Sequence, residues 1–178
     1  MPHEPSGIML PPDKWSGSTI ANVPMGQGIS VTPLQIASAY ATIANGGVFV
    51  QPHLVRDAAT PETHRVVSST VAADLMQMLQ VTVNTGTGKN ARLQGYAVAG
   101  KTGTAQKVNA DGSGYSDTKF ISSFVGMVPA QSPRLVVLVT VDEPSKGGYY
   151  GSDVAAPAFA RITDFALKHL EIPPLGVE

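Results

Sequence analysis

The chain has 178 residues, 43% of them hydrophobic and 14% charged, with a formal net charge of -1 and no cysteine. That composition is too apolar for a disordered segment, and the length suffices to bury one core, about 70% of the surface an extended chain exposes. With no basic run, nucleic acid is excluded as an expected partner; with no cysteine, disulfides and thiolate metal sites are excluded outright.

Residues 1–24 read as an irregular lead-in, because Pro2, Pro5, Pro11 and Pro12 discourage regular structure, and Trp15 is its expected anchor to the body of the domain. The opening M-P-H-E-P lacks the pattern of a leader peptide, and no stretch approaches the ~20 apolar residues that span a bilayer. Residues 25–95 read as a helical segment. In its first helix Thr32 is the N-cap, Pro33 the first helical residue and Gln35 the partner in a capping box, with Gly46 and Gly47 as the stop. Leu34, Ala37, Tyr40, Ala41 and Ala44 share a stripe, which makes Tyr40 a packing residue. Gly47 to Val55 reads as a short strand kept near an edge by Pro52, and Ala58 to His64 as a loop. Ser69 to Val83 is a second helix with Val71, Leu75, Met78, Leu79 and Thr82 inward and with Met76 and Met78 as core filler. The N-T-G-T-G-K-N that follows superficially matches a phosphate-binding loop. It fails the pattern, because Val83 stands where the first glycine belongs and Asn90 where a serine or threonine belongs, so it reads as a capping turn.

Residues 96–178 open on Y-A-V-A-G-K-T-G-T-A-Q, a short apolar run that turns into small hydroxyl and glycine positions around one lysine. Read as an edge strand, it places the Thr102 and Thr104 hydroxyls on one side, and Gly103 between them leaves room for a ligand backbone. Lys101 adds a positive charge. A peptide ending in a carboxylate would take main-chain hydrogen bonds along such an edge and meet hydroxyls and an ammonium at its charged end. Alternation puts Lys101 on the face opposite the threonines, and spacing alone does not say how all three reach one ligand. Next come a turn-rich connection, Val108 to Thr118, and strands at Phe120 to Val128 and Leu135 to Val141, the second apolar enough to be covered on both faces. Asp142 and Glu143 point to opposite faces if extended, and read as solvation of a strand end. Lys146 to Ser152 is a glycine loop carrying Tyr149 and Tyr150. A final helix runs from about Ala155 to His169, with Pro157 in its first turn and Phe159, Ile162, Phe165, Ala166 and Leu170 as its stripe. The four histidines lie far apart without metal-ligand spacing, so neither a metal nor a cofactor is expected.

Three segments carry a family resemblance. Lys101-Thr102-Gly103 matches the KTG element of the serine-acylating machinery shared by penicillin-binding proteins and class A β-lactamases. The G-Q-G-I-S-V-T-P-L-Q-I-A-S-A-Y-A-T-I-A-N-G-G segment resembles what precedes that strand in class B penicillin-binding proteins, and K-G-G-Y-Y-G-S-D-V-A-A-P-A-F-A-R-I is similar to their closing segment, above all in the septal, cell-division type. The family's other two elements do not match: no S-x-N triplet occurs, and the only S-x-x-K, Ser116 to Lys119, follows the KTG strand instead of preceding it.

The resemblance implies the C-terminal portion of an α+β transpeptidase domain, whose antiparallel sheet of five strands between helical layers has the KTG strand at one edge. Three of those strands are identified here, in the expected order KTG strand, Phe120 to Val128, Leu135 to Val141. It implies that Lys101 and Thr104 are catalytic, that Thr102, Gly103 and Thr104 bind substrate, with the two threonine hydroxyls and Lys101 at its carboxylate, and that the Thr104 N–H is an oxyanion donor. Tyr149 and Tyr150 either flank the cleft or are packing residues of a turn. The implied partners are the peptidoglycan stem peptide, β-lactams, the N-terminal remainder of the domain and cell-division membrane proteins of the parent, at the extracytoplasmic face of a bacterial membrane. Without the nucleophile segment the chain is expected to be inactive alone. The rival readings are a β-lactam-binding sensor module without turnover and one half of a split enzyme.

Overall fold

The computed structural model of the chain describes residues 4–55 and 60–174. Its elements run β1 (Ile8–Met9), α1 (Thr19–Asn22), β2 (Ile29–Ser30), α2 (Pro33–Ala44), β3 (Val48–Val50), β4 (Thr63–Arg65), α3 (Ser69–Asn84), β5 (Ala99–Val108), β6 (Tyr115–Val128), β7 (Leu135–Asp142) and α4 (Gly151–His169). The last three strands form an antiparallel sheet in the order β5-β6-β7, as the resemblance implied, while β1 pairs with β2 and β3 with β4. Helices packed on antiparallel strands make the fold α+β.

The sheet lies between two helical layers because successive residues of β6 point to opposite faces and both faces are apolar. On one face Phe124 meets Phe159 of α4, with ring centroids 4.8 Å apart, in a cluster that also takes in Val83, Val98 and Leu167. On the other, Met127 packs with Ala99, with Met76 of α3 and with Tyr40 and Ile43 of α2. Leu135, Val137, Val139 and Val141 of β7 line the α4 side and Val136 the opposite side, so this strand is covered on both faces as its apolar run required.

The start of α2 follows the local rules. The Thr32 side chain accepts from the Gln35 N–H at 3.1 Å, and the Gln35 side chain returns a bond to the Thr32 N–H at 2.8 Å. Burial pushes the Tyr40 phenol upward, in keeping with a packing role. In α3, capped by Ser68, the buried residues are Ala72, Met76 and Val83; Met78 is 64% exposed and Val71 45%. Met76 is core and Leu79 packs against its cluster as expected, but Val71 and Met78 turn outward, so the rest of the expected stripe is one residue out of phase. Both stripes are apolar, and contact of Met76 with the sheet selects between them.

A similar correction applies to α4, which begins at Gly151 and buries Ala155, Ala156, Phe159, Thr163 and Leu167, leaving Ile162, Phe165 and Leu170 half or more exposed. Pro157 thus lies beyond the first turn. The expected loop from Ala58 to His64 falls partly outside the described residues; within it, Thr63–Arg65 pairs with Val48–Val50 as a strand. That hairpin closes where Gly47 (φ 87°) passes so near Val67 that a methyl group would fall 2.3 Å from its carbonyl oxygen. The lead-in is less irregular than expected, since β1 pairs with β2, and the Trp15 indole donates to Leu10 O at 2.7 Å and joins neither buried cluster.

β6 starts five residues earlier than its apolar run suggested, because Tyr115 pairs with Val108 across a register shift. Ser116 stands in the resulting bulge, its hydroxyl accepting from the Thr118 and Lys119 N–H groups, which gives the stray S-x-x-K a local structural role. Asp142 and Glu143 converge where alternation would separate them. Glu143 leaves the strand at φ 48°, and Lys107 Nζ donates to Asp142 Oδ1 at 2.9 Å and to Glu143 Oε1 at 2.8 Å.

Candidate functional site

Two features of the chain make β5 an edge. Among the described residues its only strand neighbour is β6, and no other segment forms backbone hydrogen bonds with positions 100–107. Register then settles which side chains share a face. Thr102 pairs with Phe124 and Thr104 with Ser122, and both therefore lie on the α4 side, while Lys101 pairs with Val125 and Gly103 with Ser123 on the other. The puzzle left by spacing has a simple geometric answer. The Lys101 ammonium reaches the main chain and donates to its neighbour's carbonyl, Thr102 O, at 3.0 Å. Its charge thereby sits beside Thr102 although its side chain departs from the opposite face. Among the described residues it has no carboxylate partner.

The threonine side is built by two other segments. The first turn of α4 rests on the strand: the Gly151 N–H donates to Thr104 Oγ1 at 3.0 Å, and a methyl group on Gly151 would fall 2.3 Å from Ser123 O and 2.5 Å from Gly103 O. Only glycine lets that backbone approach so closely. Ser122 Oγ, fully buried, donates to Tyr149 O and ties the preceding loop down at the same place. The second segment is the turn after α3, where Thr87 Oγ1 and Thr102 Oγ1 lie 2.8 Å apart in a hydroxyl pair and Asn90 Nδ2 donates to Ser152 O at 2.8 Å.

Level with Gln106, aromatic rings cover the neighbouring strand β6. Tyr149 stacks on Phe120, the residue paired with Gln106, at a centroid distance of 4.2 Å, and Tyr150 follows at 4.4 Å from Tyr149. Their hydroxyls are bonded at 3.1 Å, and that bond pushes the Tyr149 phenol above its ordinary range. The structure thus places Lys101, Thr102, Gly103 and Thr104 on the free border, with Tyr149 stacked over the neighbouring strand β6 and Tyr150 beside it. The sequence analysis missed Thr87, Gly151 and Phe120. Thr87 carried a signal, since its turn stood out as glycine-rich, whereas nothing in the spacing linked residue 151 to residue 103. Among the described residues no three metal-ligating side chains converge.

This geometry can bind an extended chain with an anionic end. A model of the penicillin-binding protein transpeptidase domain matches residues 1–164. The chain belongs to the penicillin-binding protein transpeptidase family. Among its relatives, penicillin-binding protein PbpB of Mycolicibacterium smegmatis is 38% identical over 97% of this chain and 30% of that protein. Stage V sporulation protein D of Bacillus subtilis is 37% identical over 96% of this chain and 28% of that protein. Of the solved structures, the apo TP domain of Burkholderia pseudomallei penicillin-binding protein 3 superposes with a TM-score of 0.88 at 39% identity, covering 99% of this chain and 54% of that one. Penicillin-binding protein 3 of Mycobacterium tuberculosis, complexed with ampicillin, gives 0.88 at 36% identity, over 99% and 43%. The transpeptidase chain therefore spans about 30% of the length of these curated relatives, and the class B resemblance read from its three segments holds. Among the described residues of this transpeptidase segment no helix is long and apolar enough to cross a membrane.

Proposed function

We propose that this chain is the KTG-bearing portion of a septal-type peptidoglycan D,D-transpeptidase and that β5 holds the carboxyl end of the stem peptide. The observation that carries this reading is the outer border of β5, free of backbone partners and furnished with one ammonium and two hydroxyls. An ionised carboxylate accepts from such donors in charge-assisted bonds, and the strand edge fixes the peptide by main-chain pairing.

In the reaction so proposed, a serine hydroxyl from a segment outside these residues attacks the penultimate D-alanine carbonyl. Its proton passes through a basic group to the leaving amine of the terminal D-alanine. An acyl-serine ester remains, and an amine of a neighbouring strand attacks it, completing the cross-link and returning the proton to serine. Lys101 supports the proton-transfer network and the substrate carboxylate; Thr102 and Thr104 hold that carboxylate; the Thr104 N–H is one oxyanion donor, a contribution of about 3 kcal/mol to the transition state. Tyr149 and Tyr150 wall the far end of the cleft. β-Lactams acylate the same serine, and the parent works at the extracytoplasmic face of the membrane with cell-division proteins.

On this reading the chain cannot acylate by itself. A fluorescent penicillin is expected to leave the isolated chain unlabelled and to label a mixture with the upstream fragment of the same domain; covalent labelling of the intact isolated chain would refute the dependence on an external serine.

A further inference from the structure

The turn Thr85-Gly86-Thr87-Gly88 matched no known binding pattern, yet it is held as rigidly as any element around β5. The Gly88 N–H donates to Thr82 O at 3.0 Å and the Gly86 N–H to Val81 O at 3.3 Å, while side chains on either glycine would press on the Thr82 carbonyl oxygen, at 2.9 Å from residue 86 and 3.2 Å from residue 88. Asn90 fastens the far side of the turn to Ser152 at the start of α4. The result is that a surface hydroxyl, Thr87 Oγ1, is delivered to 2.8 Å from Thr102 Oγ1.

Thr104 shows what such a contact does. Its Oγ1 accepts from a backbone N–H, that of Gly151, and an N–H can only donate. The hydroxyl proton of Thr104 is therefore left to be donated elsewhere. The Thr87–Thr102 pair has the same layout but two possible directions, since either hydroxyl can be the donor. A carboxylate at the border removes that freedom. It can only accept, so Thr102 must turn its proton toward the anion, and Thr87 then donates into the vacated lone pair of Thr102. Each bond in such a relay strengthens the next.

We propose that Thr87 is a positioning residue which, by donating to Thr102, commits that hydroxyl to an ionised carboxylate and makes the border discriminate against a neutral carboxamide terminus. The inference rests on the reading of β5 as the carboxylate-holding strand and adds to it a residue and a selectivity. With a carboxamide the relay gains less, because its NH2 end needs an acceptor and its neutral oxygen is a weaker acceptor than a carboxylate.

The test uses the full chain, isotopically labelled for NMR, titrated with diacetyl-L-Lys-D-Ala-D-Ala and with the same peptide as its C-terminal amide. Binding of the carboxylate form should shift the amide resonances of Lys101 to Thr104, and the amide form should bind more weakly. Thr87→Val, which keeps the shape and removes the hydroxyl, should cut the carboxylate-over-amide preference about three- to tenfold, the scale of part of one hydrogen bond to a charged group. Thr87→Ser should restore it. In a double-mutant cycle Thr87→Val should cost nothing further once Thr102→Val is present, which separates the relay from a loss of folding. Equal weakening of both peptides by Thr87→Val, or an unchanged preference, would overturn the proposal while leaving the border intact. If the unmutated chain shifts none of the resonances from 101 to 104 with either peptide, the carboxylate reading of β5 fails, and the role of Thr87 with it.

Discussion

The two outer strands of the sheet, β5 and β7, are built to opposite specifications. β5 presents Lys101, Thr102 and Thr104, each already engaged by a neighbour, and its length is braced by the turn after α3 and by the first turn of α4. β7 is Leu-Val-Val-Leu-Val-Thr-Val-Asp, half-buried along most of its length, with β6 as its only strand partner among the described residues. A polar, braced edge resists pairing with another protein strand yet admits a short ligand, whereas an apolar one is a template for continued pairing. The difference fits a sheet that ends at β5 and is meant to continue past β7, in line with a chain that covers 54% of a solved transpeptidase domain.

The most drastic way to break the contrast is to lift α4 off β5. Gly151→Val should destabilise the chain by about 3 kcal/mol, since its new atoms would meet backbone oxygens that cannot move aside; thermal unfolding by circular dichroism would register it as a clear drop in Tm. Thr104→Val keeps the side-chain shape but removes the hydroxyl both as a donor and as the acceptor of the Gly151 N–H. In the domain reconstituted with its upstream fragment it should slow penicillin acylation about tenfold, the cost of one hydrogen bond to a charged group, and lower Tm by less than Gly151→Val does, since one backbone N–H loses its partner. On the other edge, the isolated chain should associate as its concentration rises, and Thr140→Lys, an exposed position on β7, should shift the sedimentation profile toward monomer. A mutation to lysine that left association unchanged would place the sticky surface elsewhere.

The smallest effect concerns the charges that join the strand ends. Hydrogen bonding from Lys107 holds the Glu143 carboxyl below its ordinary range, and the bond to Glu143, followed by that to Asp142, raises the Lys107 ammonium. A carboxyl depressed in the folded state contributes stability above its unfolded pKa and loses it as pH falls through the folded value. The raised lysine contributes below its unfolded pKa and loses it as pH climbs through the folded one. The cluster therefore supports the fold across the neutral range and weakens in acid and in strong alkali, and Glu143→Gln should flatten the acid limb of a plot of Tm against pH. Both groups are solvated, so the change should be slight.

Local chemistry made much of this molecule readable. The capping box at Thr32, the glycine stop after α2, the continuous apolar run of β7 and the hydroxyl alternation of β5 each depend on neighbours in the chain, and each appears in the fold as expected. The errors on the helices share one cause. Two apolar stripes compete on α3 and on α4, and the choice between Met76 and Met78, or between Leu167 and Phe165, is made by contact with a sheet distant in sequence.

By itself the sequence determined the residue types along the border, and its motifs carried the resemblance to the family, which in turn implied the order of the strands. Only the tertiary structure decided that Thr87 meets Thr102 and Gly151 meets Thr104, that the Lys101 ammonium bonds to the Thr102 carbonyl, and that Asp142 and Glu143 share one lysine. Those contacts span up to dozens of positions or hinge on a single backbone angle, and hydrogen-bond direction and close packing in three dimensions, which no local pattern encodes, are what select them.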